Sequence, residues 1–103
     1  MALEVVFRAQ AEADIEAIGD AIALDSRKNA AAWVEDIRIR CATLREFPER
    51  WPAHMGAARR MVAGIYLVFY RIAEPDISSL RRVIVIRVMH GARDIGEISD
   101  VDA

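Results

Sequence analysis

Two runs rich in β-branched and aromatic residues constrain the fold of this chain more than any other feature. They cover residues 60–71 and 82–90, and a segment with a proline and two serines separates them. Such residues suit the pleated, partly buried surface of a sheet, and the separating segment favours a turn. Gly64 interrupts the first run, so we expect two strands there, over residues 60–62 and 65–72. The sequence therefore predicts an antiparallel meander of three strands.

The first half of the chain predicts one strand and two amphipathic helices. Residues 3–8 form a short β-branched run, and isoleucines then recur at helical spacing through residues 9–24. Asp25-Ser26 is interpreted as the stop of the first helix and the N-cap of a second one, which runs from about residue 28 to 47 and ends at Pro48. Two helices joined by so short a turn form an antiparallel hairpin. We therefore predict an α+β fold in which this hairpin covers one face of the sheet.

Composition and charge exclude several classes of protein. The chain has 103 residues and 54% hydrophobic content, enough for one domain with a packed core. Its formal net charge of −2 gives no general attraction to nucleic acid or to an anionic membrane. Cys41 is the only cysteine, which rules out an internal disulfide and a cysteine-based zinc site. Because we find neither a membrane-length apolar run nor a signal peptide, we expect a cytoplasmic domain, with residues 91–103 as a loosely ordered acidic tail.

Residues 47–56 form the one long irregular segment, which contains two prolines and two large aromatic side chains. We interpret this segment as a stiff, anchored loop in which Trp51 fills the end of the core.

The first helix contains a glycine, Gly19, which lowers the stability of the helix by about 1 kcal/mol relative to alanine. A close contact between the two helices is the expected reason for it.

Strand periodicity assigns the side chains of the sheet to two faces. Alternate residues point to opposite sides, and an arginine should not enter a core without a partner. Arg71 and Arg87 are therefore expected on the face away from the helices, and Ile84 on the face that packs against them. The same alternation predicts that the face away from the helices consists of Leu67, Phe69, Arg71, Val83, Val85, Arg87 and Met89.

A helical hairpin can cover only one face of a sheet, so the other face is expected to be an exposed apolar patch rimmed by arginine. On a small protein such a patch usually marks a protein-binding surface. Aromatic residues, methionine and arginine are also enriched at interfaces. Two alternatives remain open, namely that the acidic tail folds back over this face or that the protein dimerises through it.

Candidates for catalysis are few. The sequence has no glycine-rich phosphate loop, no histidine or cysteine spacing typical of a metal site and no nucleophile elbow, so neither a metal nor another cofactor is expected. His54 and His90 are interpreted as structural residues. An alternative is an arginine cluster that binds RNA phosphates, with His90 or Glu97 as the acid or base of cleavage, although the pI of about 5.6 argues against it. That cluster would consist of Arg59, Arg60, Arg71, Arg87 and Arg93.

The order of elements resembles a known toxin family. The predicted strand and helical hairpin are followed by Leu44-Arg-Glu-Phe-Pro48, by Tyr66-x-Val-x-Tyr70-Arg-Ile, and by Val83-x-Val-x-Arg-Val-x-His90-x-x-Arg93-Asp94. This pattern is similar to the ParE branch of the ParE/RelE toxin superfamily over almost the whole chain. The resemblance implies the element order β-α-α-β-β-β with a mainly antiparallel sheet. It also implies the toxin of a bacterial type II toxin–antitoxin module.

The same resemblance implies partners and a mechanism. A ParD-like antitoxin would bind the predicted open face and the flank of the hairpin. The toxin would inhibit DNA gyrase without a catalytic site, a cofactor or specific nucleic-acid binding of its own. The RelE branch instead cleaves mRNA on the ribosome, often with a tyrosine near the C-terminus, and the end of this chain has none. Candidates for toxicity, expected near one end of the sheet, are Arg59, Arg60, His90 and Arg93.

Overall fold

The computed structural model describes residues 3–74 and 81–92. Two helices and five strands follow the predicted order, with one additional short strand. Their bounds are β1 (Glu4–Phe7), α1 (Ala9–Ala23), α2 (Arg27–Ala42), a 3₁₀ turn (Thr43–Arg45), β2 (Ala53–Met55), β3 (Ala58–Ala63), β4 (Tyr66–Ala73) and β5 (Arg82–His90).

The helical hairpin forms as the sequence predicts. Ser26 is the N-cap of α2, and its Oγ accepts a hydrogen bond from the Asn29 backbone N–H at 3.1 Å. Helix α2 ends earlier than predicted because the chain tightens into the 3₁₀ turn before Pro48. A Cβ atom added to Gly19 would lie 3.2 Å from Val34 Cγ2, which confirms that this glycine allows a close contact between the helices.

The five strands form one sheet in the order β1-β5-β4-β3-β2. Strands β2 to β5 pair antiparallel, which confirms the predicted meander, whereas β1 pairs parallel to β5. Strand β5, the last of the described strands, therefore lies inside the sheet, between β1 and β4. Strand β2 falls where we predicted an irregular loop, and its short pairing with β3 contains a register irregularity.

The main core lies between the hairpin and one face of the sheet. Ile15 of α1, Ile37 and Cys41 of α2, and Leu44 of the 3₁₀ turn are buried there. Trp51 packs against the same cluster, so its predicted role at the end of the core is confirmed. The buried sheet residues that complete this core are Met61, Ala63, Val68, Tyr70, Val83, Val85 and Val88.

The face of the sheet away from the helices, here called the second face, carries a smaller cluster. Its buried members are Ala58, Phe69, Ile86 and Met89, and Leu67 packs against them. The second face therefore has a core of its own. Nothing in the period-2 pattern of the strands distinguishes such a cluster from an exposed patch.

A β-bulge in β5 makes part of the predicted face assignment wrong. The register runs from Phe69↔Arg87 to Tyr70↔Val85, so β5 has one more residue than β4 at this step. The side-chain alternation changes phase there. Val83 and Val85 consequently belong to the main core, where both are fully buried. Ile84, predicted to face the helices, pairs with Arg71 and alternates with these core residues, so it lies on the second face.

Candidate functional site

The second face was the predicted binding surface, and the structure places only some of the predicted residues there. The placement is confirmed for Leu67, Phe69 and Met89, which belong to the cluster on this face. Arg71 lies between two residues that pack into the main core, so it also points to the second face. The placement is wrong for Val83 and Val85. Arg87 pairs with Phe69 and precedes Val88 of the main core, so the register places it on the second face, as predicted.

The apolar part of the second face is less exposed than the sequence suggested. Phe69 is 0% exposed, Met89 2% and Ile86 4%, whereas Leu67 is half-buried. The ring of His54 lies 5.3 Å from the Phe69 ring, centroid to centroid, and contributes to this packing. The prediction of a wide open apolar patch is therefore wrong.

Exposed apolar side chains are instead found at the tight turn between β3 and β4. Val62 is 45% exposed and Ile65 is 64% exposed. Val62 pairs with Leu67 and lies on the second face, because its neighbours Met61 and Ala63 both point into the main core. We call Val62, Ile65 and Leu67 the hairpin tip.

Three arginines cross the second face in a diagonal row, here called the arginine stripe. They are Arg60 of β3, Arg71 of β4 and Arg82 of β5. Arg60 pairs with Phe69 and Arg82 pairs with Ala73, so each is a diagonal neighbour of Arg71. Within residues 3–74 and 81–92, no ion pair joins any of the three to a carboxylate.

Arg87 pairs with Phe69 in the register, and its guanidinium is bound by a carboxylate of helix α1. Its Nε donates to Asp14 Oδ2 at 2.8 Å and its Nη2 donates to Asp14 Oδ1 at 3.2 Å. The backbone N–H of Val88 also donates to Asp14 Oδ2, at 2.9 Å. Strand β1 pairs with β5 only as far as Val85, so Asp14 satisfies an N–H beyond the end of that pairing. We call this arrangement the edge clamp.

Arg59 and Tyr70 hold the segment before β2 against the sheet. Arg59 Nη1 donates to the Trp51 carbonyl at 2.6 Å, and the Tyr70 hydroxyl donates to the Pro48 carbonyl at 2.7 Å. Burial raises the pKa of the Tyr70 phenol above its ordinary value. The predicted stiff and anchored loop is confirmed by these contacts, and no feature of the sequence identified the two residues that anchor it.

His90 takes part in a row of aromatic rings on the helix side of the sheet. The Tyr66 ring lies 5.6 Å from the His90 ring and 5.1 Å from the Trp33 ring. His90 Nδ1 also accepts a hydrogen bond from the Ala92 backbone N–H at 3.1 Å. His54, by contrast, has a buried Nε2 without a hydrogen-bond partner in the described part of the chain.

The toxicity candidates do not form one cluster, which corrects the expectation that they share one end of the sheet. Arg59 and Arg60 are consecutive in β3 and therefore point to opposite faces. They pair with Tyr70 and Phe69 in the middle of β4, whereas His90 pairs with Tyr66, the first residue of that strand. Arg93 and Glu97 lie outside the described residues, as does most of the predicted acidic tail.

The helical hairpin has a shallow groove on its surface. Its volume is about 260 Å³. Small side chains form much of the lining, and Glu16 and Asp20 give it an acidic character. The groove is lined by Ile15, Glu16, Gly19, Asp20, Ala23, Ala30, Ala31 and Val34.

Other features with chemical potential are limited. Burial raises the pKa of the Cys41 thiol from its ordinary value of 9.0 to about 12, so at neutral pH this side chain is a protonated, unreactive core residue. In the described ranges, no three histidine, cysteine, aspartate or glutamate side chains come together as a metal ion would require. None of the helices described here is long and apolar enough to span a membrane.

Comparison with solved structures finds the same architecture in two toxin–antitoxin systems. The first is a chromosomal ParDE toxin–antitoxin system from P. aeruginosa, with a TM-score of 0.72, 17% identity, and coverage of 85% of this chain and 95% of the other. The second is a RelBE2 toxin–antitoxin complex from Mycobacterium tuberculosis, with a TM-score of 0.56, 22% identity, and coverage of 87% and 92%. At these identities the likeness establishes the fold alone.

Comparison of sequences identifies the family. A search of curated proteins finds no match. The family model described as "ParE toxin of type II toxin-antitoxin system, parDE" matches residues 5–95. This range includes the hairpin, every strand of the sheet except the first residue of β1, and both histidines. The chain therefore belongs to the ParE family of toxins from type II toxin–antitoxin systems.

Proposed function

We propose that this toxin acts in the bacterial cytoplasm by inhibiting DNA gyrase, without a catalytic site of its own, and that a ParD-like antitoxin neutralises it by direct binding. The family match over residues 5–95 is the observation that carries this proposal. One of the similar solved structures is a ParDE system, which supports the choice of antitoxin.

The positions of the basic and titratable residues support a non-enzymatic mechanism. Arg59 uses its guanidinium to hold the Trp51 carbonyl, and Arg60 lies on the other face of the sheet. His90 Nδ1 is engaged by the backbone of Ala92. General acid–base cleavage of RNA needs an acid, a base and a phosphate-binding cation within hydrogen-bonding reach of one substrate. These three residues are too dispersed to meet that need together.

The antitoxin surface is proposed to lie at the hairpin tip and along the arginine stripe. Val62 and Ile65 offer exposed apolar area, Leu67 is half-buried beside them, and Arg71 supplies a cation for an acidic side chain of the partner.

The groove between the helices adds a second contact to this proposal, for one apolar side chain of the antitoxin with a basic neighbour, since Glu16 and Asp20 line it. Val83 and Val85 are no longer part of the proposed surface, because a partner could reach them only by opening the main core.

The target is tested by adding the purified toxin to DNA gyrase and relaxed plasmid. We expect inhibition of supercoiling and accumulation of cleaved DNA, both removed by the antitoxin encoded beside the toxin. Primer extension on transcripts from induced cells tests the alternative activity in parallel. Codon-positioned cuts in mRNA together with unimpaired supercoiling would identify a RelE-like endoribonuclease and contradict the gyrase proposal.

The antitoxin surface is tested separately, by calorimetric titration of the antitoxin into toxin variants. Val62→Asp introduces a charge into the hairpin tip and should weaken binding at least about tenfold, which corresponds to about 1.4 kcal/mol. Ile39→Asp is the matched control, because Ile39 is also an exposed apolar residue, at 57%, but lies on α2. Equal affinities for both variants would show that the antitoxin does not use the hairpin tip.

A further inference from the structure

We infer that the arginine stripe binds the phosphate backbone of duplex DNA without regard to base sequence. The choice of DNA among duplex nucleic acids rests on the proposed gyrase target, whereas the binding of a phosphate backbone rests on the sheet alone. The toxin would make this contact itself, in the absence of any other protein.

The net charge of −2 conceals a separation of charge between the two sides of the fold. Within their bounds, strands β2 to β5 contain arginines but no acidic residue, whereas helix α1 contains acidic residues but no basic one. The arginines are Arg59, Arg60, Arg71, Arg82 and Arg87, and the acidic residues of α1 are Glu12, Asp14, Glu16 and Asp20. Helix α1 packs on the face of the sheet opposite the stripe. The second face is therefore a local basic surface, which attracts a polyanion although the total charge is negative.

The arginines of the stripe are the strand arginines that are left for an external anion. Arg59 donates to a backbone carbonyl, and Arg87 is paired with Asp14. In the part of the chain that the structure describes, no ion pair engages the three arginines of the stripe. Glu4 lies opposite Arg82 in the register, but these two described side chains form no ion pair either. A guanidinium binds a phosphate through two parallel hydrogen bonds, so each arginine of the stripe is available for one phosphate.

The length of the stripe fits a duplex backbone. Diagonal neighbours in a sheet have Cα atoms about 7–8 Å apart, so the row from Arg60 through Arg71 to Arg82 is about 15 Å long. One strand of duplex DNA carries a phosphate about every 3.4 Å along the helix axis, so about four phosphates of one strand lie within that length. Each of the three side chains can therefore contact a different phosphate.

The surroundings of the stripe favour a phosphate backbone over a peptide or a single strand. Phe69, Met89 and Ile86 are 0%, 2% and 4% exposed, so the apolar cluster beside the stripe offers little area to a partner. Peptides and proteins bind mainly through anchors buried in such apolar sites, and single strands bind by stacking their bases on aromatic rings. A duplex backbone needs neither, because charge alone supplies its sequence-independent affinity. Exposed apolar area lies instead at the hairpin tip, where the antitoxin is proposed to bind.

The inference is tested by fluorescence anisotropy with the purified full chain and a short labelled DNA duplex of arbitrary sequence. We expect a dissociation constant of about 10 μM at about 50 mM salt, which is typical of non-specific binding. Three phosphate contacts predict a slope of log K against log salt of about −2.7, so the affinity should fall about fortyfold between about 50 and 200 mM salt. A duplex of scrambled sequence should bind equally well. The absence of binding at the lower salt concentration would overturn the inference.

Neutral replacements test whether the stripe is the binding site. Arg71→Gln removes the central charge, so it should weaken binding about tenfold at low salt and change the slope to about −1.8. Arg27→Gln is the matched control, because it removes the same charge from the exposed first turn of α2, and it should change the affinity less than about twofold. Arg82→Gln, at the exposed start of β5, is a second test that does not disturb the middle of a strand. Urea unfolding shows that each variant is folded, and equal effects of the stripe and control variants would contradict the inference.

Competition experiments identify the class of anion. Unlabelled duplex DNA should displace the probe, whereas polyglutamate and single-stranded DNA at the same concentration of charge should compete much less well. Equal competition by polyglutamate would identify a site for acidic peptides, and stronger competition by duplex RNA would contradict the choice of DNA. Gyrase and antitoxin are absent from every sample. A negative result here therefore leaves gyrase inhibition open to its own assay, and a failure to inhibit gyrase leaves this binding measurable.

Discussion

Replacing Asp14 tests whether the edge clamp holds helix α1 to the sheet. Asp14→Ala removes the carboxylate that receives two hydrogen bonds from Arg87 and one from the Val88 backbone. The side chains of Asp14 and Arg87 are 10% and 20% exposed, so water compensates only in part. We expect the variant to fold but to unfold at a lower denaturant concentration than the unmodified protein.

The magnitude follows from the partners that lose an acceptor. Leaving a buried backbone N–H unsatisfied costs about 1–3 kcal/mol, and removing one partner of a fully buried ion pair costs about 3–5 kcal/mol. The pair retains some exposure, and Arg87 has further interactions, so the two effects do not add in full. We expect Asp14→Ala to lower the free energy of unfolding by about 2–4 kcal/mol. Asp14→Asn keeps an acceptor for Val88 but loses the charge, and should lower it by about half as much.

Urea unfolding followed by circular dichroism measures the effect. With a slope near 2 kcal/mol per molar urea, the midpoint should fall by about 1–2 M for Asp14→Ala. Asp36→Ala is the matched control, because Asp36 also pairs with an arginine at 2.8 Å but is more than half exposed. Exposed helix pairs contribute about 0.3–0.5 kcal/mol. If both variants shift the midpoint equally, the edge clamp is an ordinary surface ion pair and the reasoning fails.

A double-mutant cycle separates the ion pair from the rest of the edge clamp. Arg87→Met removes the guanidinium, Asp14→Ala removes the carboxylate, and the double variant Asp14→Ala/Arg87→Met completes the cycle. The double variant should be less destabilised than the sum of the single variants by about 1–3 kcal/mol. A coupling energy near zero would mean that Asp14 acts through Val88 alone.

Three further outcomes are expected. Burial raises the pKa of the Cys41 thiol from 9.0 to about 12, so its contribution to the free energy of unfolding should be fully present below pH 9. Between these two pKa values the free energy of unfolding should fall by about 1.4 kcal/mol per pH unit. Cys41→Ala should flatten that slope in urea titrations at about pH 8 to 11. Tyr70→Phe leaves the Pro48 carbonyl without its donor and should lower the free energy of unfolding by about 1 kcal/mol and speed proteolysis before β2, whereas unchanged cleavage would contradict the anchoring role. Phe69→Ala should destabilise the protein by about 3–5 kcal/mol, because Phe69 is fully buried; a stable variant with weakened antitoxin binding would instead favour Phe69 as an interface residue.

The helical hairpin and the meander could be predicted because their signals are local. Isoleucine spacing, the Ser26 cap and the β-branched runs each act within a few residues. Strand β2 gave no such signal, since it has three residues next to a proline and pairs irregularly. The parallel pairing of β1 with β5 joins Glu4 to Arg82, and no local pattern carries that information.

The ion pair of Arg87 could not be predicted from the sequence. The register places Arg87 opposite Phe69, on the predicted face, but its guanidinium is paired with Asp14 of α1. The two residues are 73 positions apart, so the sequence offered no reason to connect them. The bulge shifted the phase of Val83, Ile84 and Val85, so one missed irregularity moved three residues to the wrong face. Leu67, Phe69 and Arg71 lie in β4, outside the bulged strand, and were placed correctly.

The position of β5 has a consequence for how the toxin comes into being during translation. A nascent chain that has emerged only through β4 holds both helices and the antiparallel strands, but it lacks the strand to which β1 pairs and against which α1 is clamped. Contacts between residues so distant in sequence form late and slow the folding of a domain. The chain can therefore complete its sheet only after its synthesis has passed His90, which delays the native surface until β5 has been made.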